Sequence, residues 1–466
     1  MHPSKLSQRI SGALKYISEK QKPNTQSSAY PSVIPGGPFA EFPGPAKLTL
    51  GSSLQGGILK AVLLPQEPVV LFGSNPSGAG TVQDSLVAQQ IARQGAYILF
   101  DVTLDTDRQD MLAHLHSRAG SLKDFHVFNA DKPAQSHTYN PLAQGTPEAV
   151  AERLIHALSN PTEAEPANTD HYRDDMKVFL ALLIQALRER DNVALISSLY
   201  AALTQLEAFT ALVTSPLLSA ATKQAFDTFM PGRSSVADAR YDISFVPALL
   251  LPVLPMLSAL SSGKVGAVLN EAQADIDLVD ILTSNKGLFI MLPTLGKDMV
   301  ALTVGRLLMA DLKDSLARIA TKPRADSQLD PLVVSIETPI LTRGILNDLF
   351  IGASISRTKL VIGLQAVTSL NYFGQEDQTA VLKTFRNKIF FQAKKQEPHD
   401  KLREFGIEMA QTGASEQLPD VMEELADIPA GYGYLSQNTT LSTFKPWPTV
   451  ELKEGLPAFD KHQTAL

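Results

Sequence analysis

The residues whose spacing points most directly to chemistry are Gly73 and Gly78, within the run PVVLFGSNPSGAGT at 68–81. A buried-strand run, Pro68 to Phe72, leads into a Gly/Ser/Pro turn, and a helix-like stretch, Val82 to Arg93, follows. That order is the layout of G-x-x-x-x-G-K-[ST], in which backbone N–H groups cradle phosphates, the Lys neutralises them and the Ser or Thr holds magnesium. Here the Lys position is Ala79 and the hydroxyl position is Gly80, with Thr81 one residue late. The candidate cradle is therefore Gly73, Ser74, Ser77, Gly78, Ala79, Gly80 and Thr81, without its cation and its metal ligand. A turn that simply needs φ > 0 would keep the same glycines.

Other reactive residue types give less. His114 and His116 cannot make a metal site alone and are read as a solvated helix face. Asp275, Asp277 and Asp280 lack the Gly turn and closing Glu of a calcium loop. Lys383, Arg386, Lys388, Lys394 and Lys395 form a modest basic concentration, read as a solvated face. No HExxH pattern and no Ser-His-Asp signature is readable, and no metal site is expected.

Composition narrows the classes. At 466 residues the chain has room for two or three substructures around a large core. Apolar content of 44% and charged content of 19% fit an ordinary globular protein. A net charge of −7 gives no overall basic field to draw in nucleic acid, so any such contact is local. The absence of cysteine excludes disulfides, thiolate catalysis and Cys-ligated metal centres. No apolar run reaches the length of a membrane span; residues 245–260 come nearest, with three prolines in them. A cytoplasmic location is expected, with a peripheral place at the inner membrane as an alternative.

The elements that must position the loop come next. Residues 4–20 suit an amphipathic helix with Leu6, Ile10, Leu14 and Ile17 in one stripe and Lys5, Arg9, Lys15 and Lys20 off it. It is read as docking on protein, or as lying on a membrane surface. Residues 21–46, rich in Pro, Gly and Ser, read as a linker or arm. Strand-like runs at 68–73, 96–101 and 125–129 alternate with helical ones at 82–93 and 106–119, the pattern of a parallel sheet covered on both faces. Residues 147–262 then carry long helical periodicities, at 147–158, 170–189 and 193–213, and read as an all-α insertion. Strand-like runs return at 287–292, 331–336, 359–364 and 388–393, with helices at 297–320, 339–353 and 376–385 between them. The expected fold is α/β: a mostly parallel sheet built from 47–146 and 263–446, the helical insertion between, and a tail at 447–466.

In this order the pieces resemble the TraG/TraD-type coupling proteins of conjugation and type IV secretion, which are RecA-like ATPases. The resemblance runs from about residue 50 to about residue 445. Its carriers are the loop Gly73–Thr81, ARQGAYILFD with its closing Asp101, DFHVFN…YNPL at 124–142, IDLVDILTSNKGLFIMLPTLG at 276–296, LVVSIETPIL in the Walker B position, LVIGLQAVTSLNYFG at 360–374 and RNKIFFQA. It implies that Glu337 activates water and that Gln365 faces the terminal phosphate. It also implies an arginine finger across a subunit boundary, for which Arg306, Arg343 and Arg357 are candidates.

The departures matter as much. Family members begin with two membrane-spanning helices, and no such pair is present here. The Asp-Glu pair that ends the Walker B strand is Ile336-Glu337, so the metal-organising carboxylate is gone. The basic residue expected after Asp101 is missing from DVTLDTD. Removing one well-placed electrostatic contributor costs on the order of 100–1000-fold in rate, and Lys, hydroxyl and Asp are lost together. The expectation is a non-hydrolysing docking or scaffold subunit of a secretion or conjugation apparatus, with ATP a weak ligand and Mg2+ a doubtful one. An active translocase with rearranged phosphate chemistry, or a nucleotide-sensing adaptor outside any secretion machine, are the alternatives. Expected partners are other components of the apparatus, an intact coupling-protein homologue, and a relaxase, effector or DNA substrate. A weak or partner-dependent oligomer is expected, with residues 4–20 as the membrane contact.

Overall fold

The computed structural model describes residues 47–446 apart from 54–57, 63–66, 74–76, 159–168, 231–233, 236–239, 242–249, 251–252, 294–297, 323–328, 337–342, 368, 371–383, 386, 394–398, 412–415, 424, 426, 429–430 and 438–439. The chain opens with β1 (Lys47–Ser53), β2 (Ile58–Val62) and β3 (Val69–Phe72). It continues with α1 (Ala79–Ala92), β4 (Tyr97–Asp101), α2 (Thr106–Ala119) and β5 (Phe125–Asn129). A helical run follows: α3 (Pro147–Leu158), α4 (Thr169–Asp191), α5 (Ile196–Thr204), α6 (Leu206–Val213) and α7 (Ala220–Phe229). A small ribbon of β6 (Ser234–Ser235) and β7 (Arg240–Tyr241) interrupts it before α8 (Leu254–Ser261), α9 (Gly263–Leu269) and α10 (Leu278–Thr283). The sheet resumes with β8 (Gly287–Met291), α11 (Met299–Ala320), β9 (Leu332–Ile336), α12 (Arg343–Ile355), β10 (Lys359–Leu364) and β11 (Asn387–Phe391). It ends with α13 (His399–Gln411), α14 (Leu418–Glu423), β12 (Gly433–Gln437) and β13 (Thr440–Pro446).

Among the described residues the main sheet has 11 strands in the order β2-β1-β13-β12-β11-β3-β10-β9-β4-β8-β5. From β11 to β5 every neighbour is parallel. From β11 outward through β12, β13, β1 and β2 every neighbour is antiparallel. The parallel strands are near-continuous apolar runs because both faces are covered. Val69 and Leu71 pack on one face with Val82 and Leu86 of α1 and Met111 and Leu115 of α2. Val70 and Phe72 pack on the other with Leu308 and Leu312 of α11 and Leu346 and Leu349 of α12. Each fully buried Val, Leu or Phe contributes about 1.5–3 kcal/mol of transfer free energy.

That second core continues without a break into the helical run, where Leu154, Phe179, Leu199 and Phe209 belong to the same cluster. The junction is polar as well. Arg153 of α3 bridges Asp311 at 2.8 Å and Asp314 at 2.9 Å, both on α11, and Tyr139 donates to Asp311 at 2.7 Å. The outer edge of β5 is closed by its own loop: the Val127 and Asn129 N–H groups donate to His137 Nδ1 at 3.0 Å and Ser136 Oγ at 2.9 Å. Such capping removes an edge that would otherwise template pairing with another chain.

Several expectations change here. Residues 193–213 form two helices bent by 108°, with Gln205 extended between them as the end of α5 and the start of α6. The four antiparallel strands were not anticipated. Most of the helix expected at 376–385 and all of residues 1–46 and 447–466 lie outside the described residues. His116 is not on a solvated face; it is 3% exposed, bonded to Tyr97 Oη and Ser121 Oγ at 2.9 Å each, and burial pushes it down to about 3. No single helix among the described residues is long and apolar enough to cross a membrane.

Candidate nucleotide site

The phosphate-loop run stands where a parallel sheet makes such sites, at the carboxyl end of a central strand and the start of a helix. β3 ends at Phe72, and the Gly73 N–H donates to Leu364 O at 2.9 Å, so the loop leaves the sheet beside the end of β10. Gly78 precedes α1 at φ 116°, a conformation that L side chains rarely adopt. A Cβ on Gly73 would come 2.5 Å from Ser77 Oγ, and one on Gly78 would come 3.0 Å from the Phe391 ring. Both glycines are therefore required by the turn and by the approach of β11. Ser77 is buried and its Oγ has no hydrogen-bond partner, while its carbonyl accepts from Gly431 N at 2.9 Å. Ser74 lies outside the described residues.

The start of α1 is a bare helix N-terminus. No side chain caps it and no acidic residue lies in its first turn, so its leading N–H groups keep their partial positive charge. Ala79 in the Lys position is 7% exposed and packs in the core. Gly80 is exposed with nothing within 4 Å of where a Cβ would stand. The first turn of α1 fits a phosphate group through its amides. It does not fit Mg2+: Gly80 offers no oxygen from a side chain, Ile336 ends β9, and no cluster of three or more metal-ligating side chains occurs among the described residues.

Strand order brings the remaining candidates to the same edge or takes them away. The central order β11-β3-β10-β9-β4 places the ends of β3, β10, β9 and β4 side by side. Register pairs Leu364 with Phe72 and Gly363 with Ile336, so Gln365 follows its strand next to Gly73. Glu337 lies outside the described residues, directly after β9. Arg357 precedes β10 and therefore sits at the opposite edge, about 20 Å along the strand from Gln365. It is held at φ 56° and pairs with Asp330 at 3.4 Å. Arg306, a candidate finger, is 6% exposed on α11 and cannot extend from the surface in that role. The Arg343 side chain is outside the described set.

Sequence reasoning missed one charged group beside the site. The basic partner of Asp101 exists, and it comes from α2. Arg108 donates to Asp101 Oδ2 at 2.8 Å and to Asp84 Oδ1 of α1 at 2.5 Å. Burial alone would lower the guanidinium's affinity for its proton, but Asp84 and Asp101 outweigh it and raise its pKa, so it stays charged. Thr103 donates to Asp101 Oδ1 through both its N–H and its hydroxyl at 2.7 Å. The network ties α1 and α2 to the end of β4. The spacing Asp101 to Arg108 carried no signal because the contact depends on how α2 folds back.

The remaining sequence candidates have structural roles. Asp275 accepts from Thr138, Asp277 caps α10, and Asp280 pairs with Lys286 at 2.6 Å. Lys388 is not solvated; it is 3% exposed, donates to Phe385 O at 2.5 Å, and burial pushes it down to about 8.

No family model and no curated protein matches the sequence. Solved structures do match by fold. The bacterial conjugative coupling protein TrwBdeltaN70, in its unbound monoclinic form, aligns over 92% of this chain and 94% of its own, with a TM-score of 0.59 and 12% identity. TrwB in complex with ADP and Mg2+ aligns over 85% and 88%, with a TM-score of 0.55 and 12% identity. VirB4 of Thermoanaerobacter pseudethanolicus aligns over 89% and 98%, with a TM-score of 0.54 and 12% identity. Together with the central strand order and the loop after β3, these likenesses establish that the chain has the RecA-like P-loop ATPase fold found in the coupling protein TrwB and in VirB4.

Proposed function

We propose that this chain is a coupling-protein-like component of a conjugation or type IV secretion apparatus, acting as a docking or scaffold subunit for substrate recruitment without hydrolysing nucleotide. The fold likeness to TrwB and VirB4 over most of each chain supports the setting. The observation that carries the non-hydrolysing reading is the loop itself. Its backbone turn is kept, with Gly78 at φ 116° and a bare helix start behind it, while Ala79 is buried in place of a cation. Gly80 and Ile336 replace the metal-organising positions. Phosphoryl transfer depends on those charges, so their joint loss leaves a cradle that holds a phosphate weakly and does not activate it.

In this reading the helical run α3–α8, within residues 147–262, is an inserted lobe that meets substrates or partners, and residues 4–20 supply a membrane or protein contact. The partners are components of the apparatus or an intact homologue, with a relaxase, effector or DNA as cargo. A nucleotide titration of the full chain, with and without Mg2+, tests the reading. Weak binding that ignores Mg2+ is expected, whereas tight Mg2+-dependent binding would contradict it.

A further inference from the structure

Tyr432 stands beside the phosphate loop, between two glycines that the packing requires. The Gly431 N–H donates to Ser77 O at 2.9 Å, and a Cβ on Gly78 would come 3.4 Å from Gly431 Cα. Gly431 sits at φ 81°, and a Cβ on Gly433 would come 2.8 Å from the Phe391 ring. The tyrosine between them is partly exposed and belongs to neither buried apolar cluster. Gly433 pairs with Phe444, and continuing that register by one residue sets Tyr432 opposite Lys445. The Lys445 Nζ lies 5.8 Å from the centroid of the Tyr432 ring, a cation–π contact that holds the ring in place.

Strand order fixes where the ring lies relative to a phosphate in the loop. β12 runs antiparallel to β11, and Gly433 pairs with Phe391, so Tyr432 lies at the carboxyl edge of the parallel strands, the edge from which the loop leaves. Only β11 separates β12 from β3. Two strand spacings put the backbone of Tyr432 about 10 Å across the sheet from the end of β3. Gln365, after β10, lies on the other side of the loop. A phosphate at the start of α1 therefore has an amide side chain toward one side and an aromatic ring toward the other. The distance to the ring suits a ribose and its leading phosphates laid along the sheet edge, with a base at the end.

We propose that Tyr432 stacks on the base of a nucleotide whose phosphates occupy the loop, so that the site selects a nucleoside phosphate over a bare phosphate. The inference rests on the reading of the loop as a phosphate cradle. It adds a contact that needs neither Mg2+ nor the charges lost at Ala79 and Ile336. Every base has a π face, so the ring tolerates differences in base identity. Stacking of this kind is worth about 5- to 150-fold in affinity.

The experiment is calorimetric titration of the full chain with ATP and with inorganic tripolyphosphate, both without Mg2+. Wild type should bind ATP about 5- to 150-fold more tightly than tripolyphosphate. Tyr432→Ala should bring the two affinities together by weakening ATP while leaving tripolyphosphate unchanged, which also shows that the variant is folded. Tyr432→Leu gives the same readout should the Ala variant fold poorly, and Tyr432→Phe should keep the preference because the ring makes the contact. Gly80→Glu puts a carboxylate at the start of α1, where the added side chain meets open space, and should weaken both probes in parallel. Equal affinities in wild type, or an ATP preference that survives in both Tyr432→Ala and Tyr432→Leu, would overturn the base contact and leave the phosphate cradle standing. Binding of neither probe to wild type would overturn the cradle and the base contact together.

Discussion

Acidification should weaken this fold through His116. The ring is 3% exposed, lies between Tyr97 Oη and Ser121 Oγ at 2.9 Å each, and stacks on Phe125 at 4.8 Å. Burial pushes it down to about 3, against about 6.5 for an exposed histidine. The folded state therefore holds the ring neutral while the unfolded chain takes up a proton below about pH 6.5. The stabilisation is fully present above that pH and is lost progressively as the pH falls toward 3. At about 1.4 kcal/mol per pH unit, lowering the pH from about 7.5 to about 5 removes about 2 kcal/mol. Urea unfolding of wild type and His116→Gln across that range isolates the effect, since His126 and His156 titrate in both proteins. Wild type should lose about 2 kcal/mol more than the variant; parallel stability curves would refute the reasoning.

Three further outcomes follow from the geometry. Arg108→Met strands Asp101 and Asp84 without their guanidinium and should cost about 3–5 kcal/mol in denaturant unfolding, and unchanged stability would show that the network does not pin α1. Gly78→Ala forces a Cβ into φ 116° and to 3.0 Å from the Phe391 ring, so calorimetry should record a loss of about 1–3 kcal/mol. Light scattering across protein concentrations should show a monomer or weak oligomer indifferent to ATP, because a defective phosphate site gives nucleotide no hold on assembly; an ATP-promoted hexamer would revive the translocase reading.

The parallel half of the sheet was legible because burial on both faces writes itself as unbroken apolar runs, and 125–129 and 359–364 form strands over those bounds. The antiparallel half was not. β1 (KLTLGSS) and β13 (TLSTFKP) mix small and polar residues without a clean alternation, so pairing with neighbours rather than pattern defines them. The bend after Thr204 carries no Gly or Pro to announce it. At the site, the loop and its missing charges could be read directly from Gly73 to Thr81. The guanidinium beside Asp101 and the burial of Arg306, His116 and Lys388 depend on contacts distant in the chain, where the usual solvent preference of those residue types points the wrong way.

Steady-state ATP turnover with Mg2+, measured on wild type beside a chain restored with Ala79→Lys, Gly80→Thr and Ile336→Asp, tests the central claim most directly. Wild type should stay at background, and the restored chain should bind nucleotide more tightly on the same scaffold. A wild-type rate near ~1 s⁻¹, typical of working enzymes, that disappears in Glu337→Gln would contradict the account.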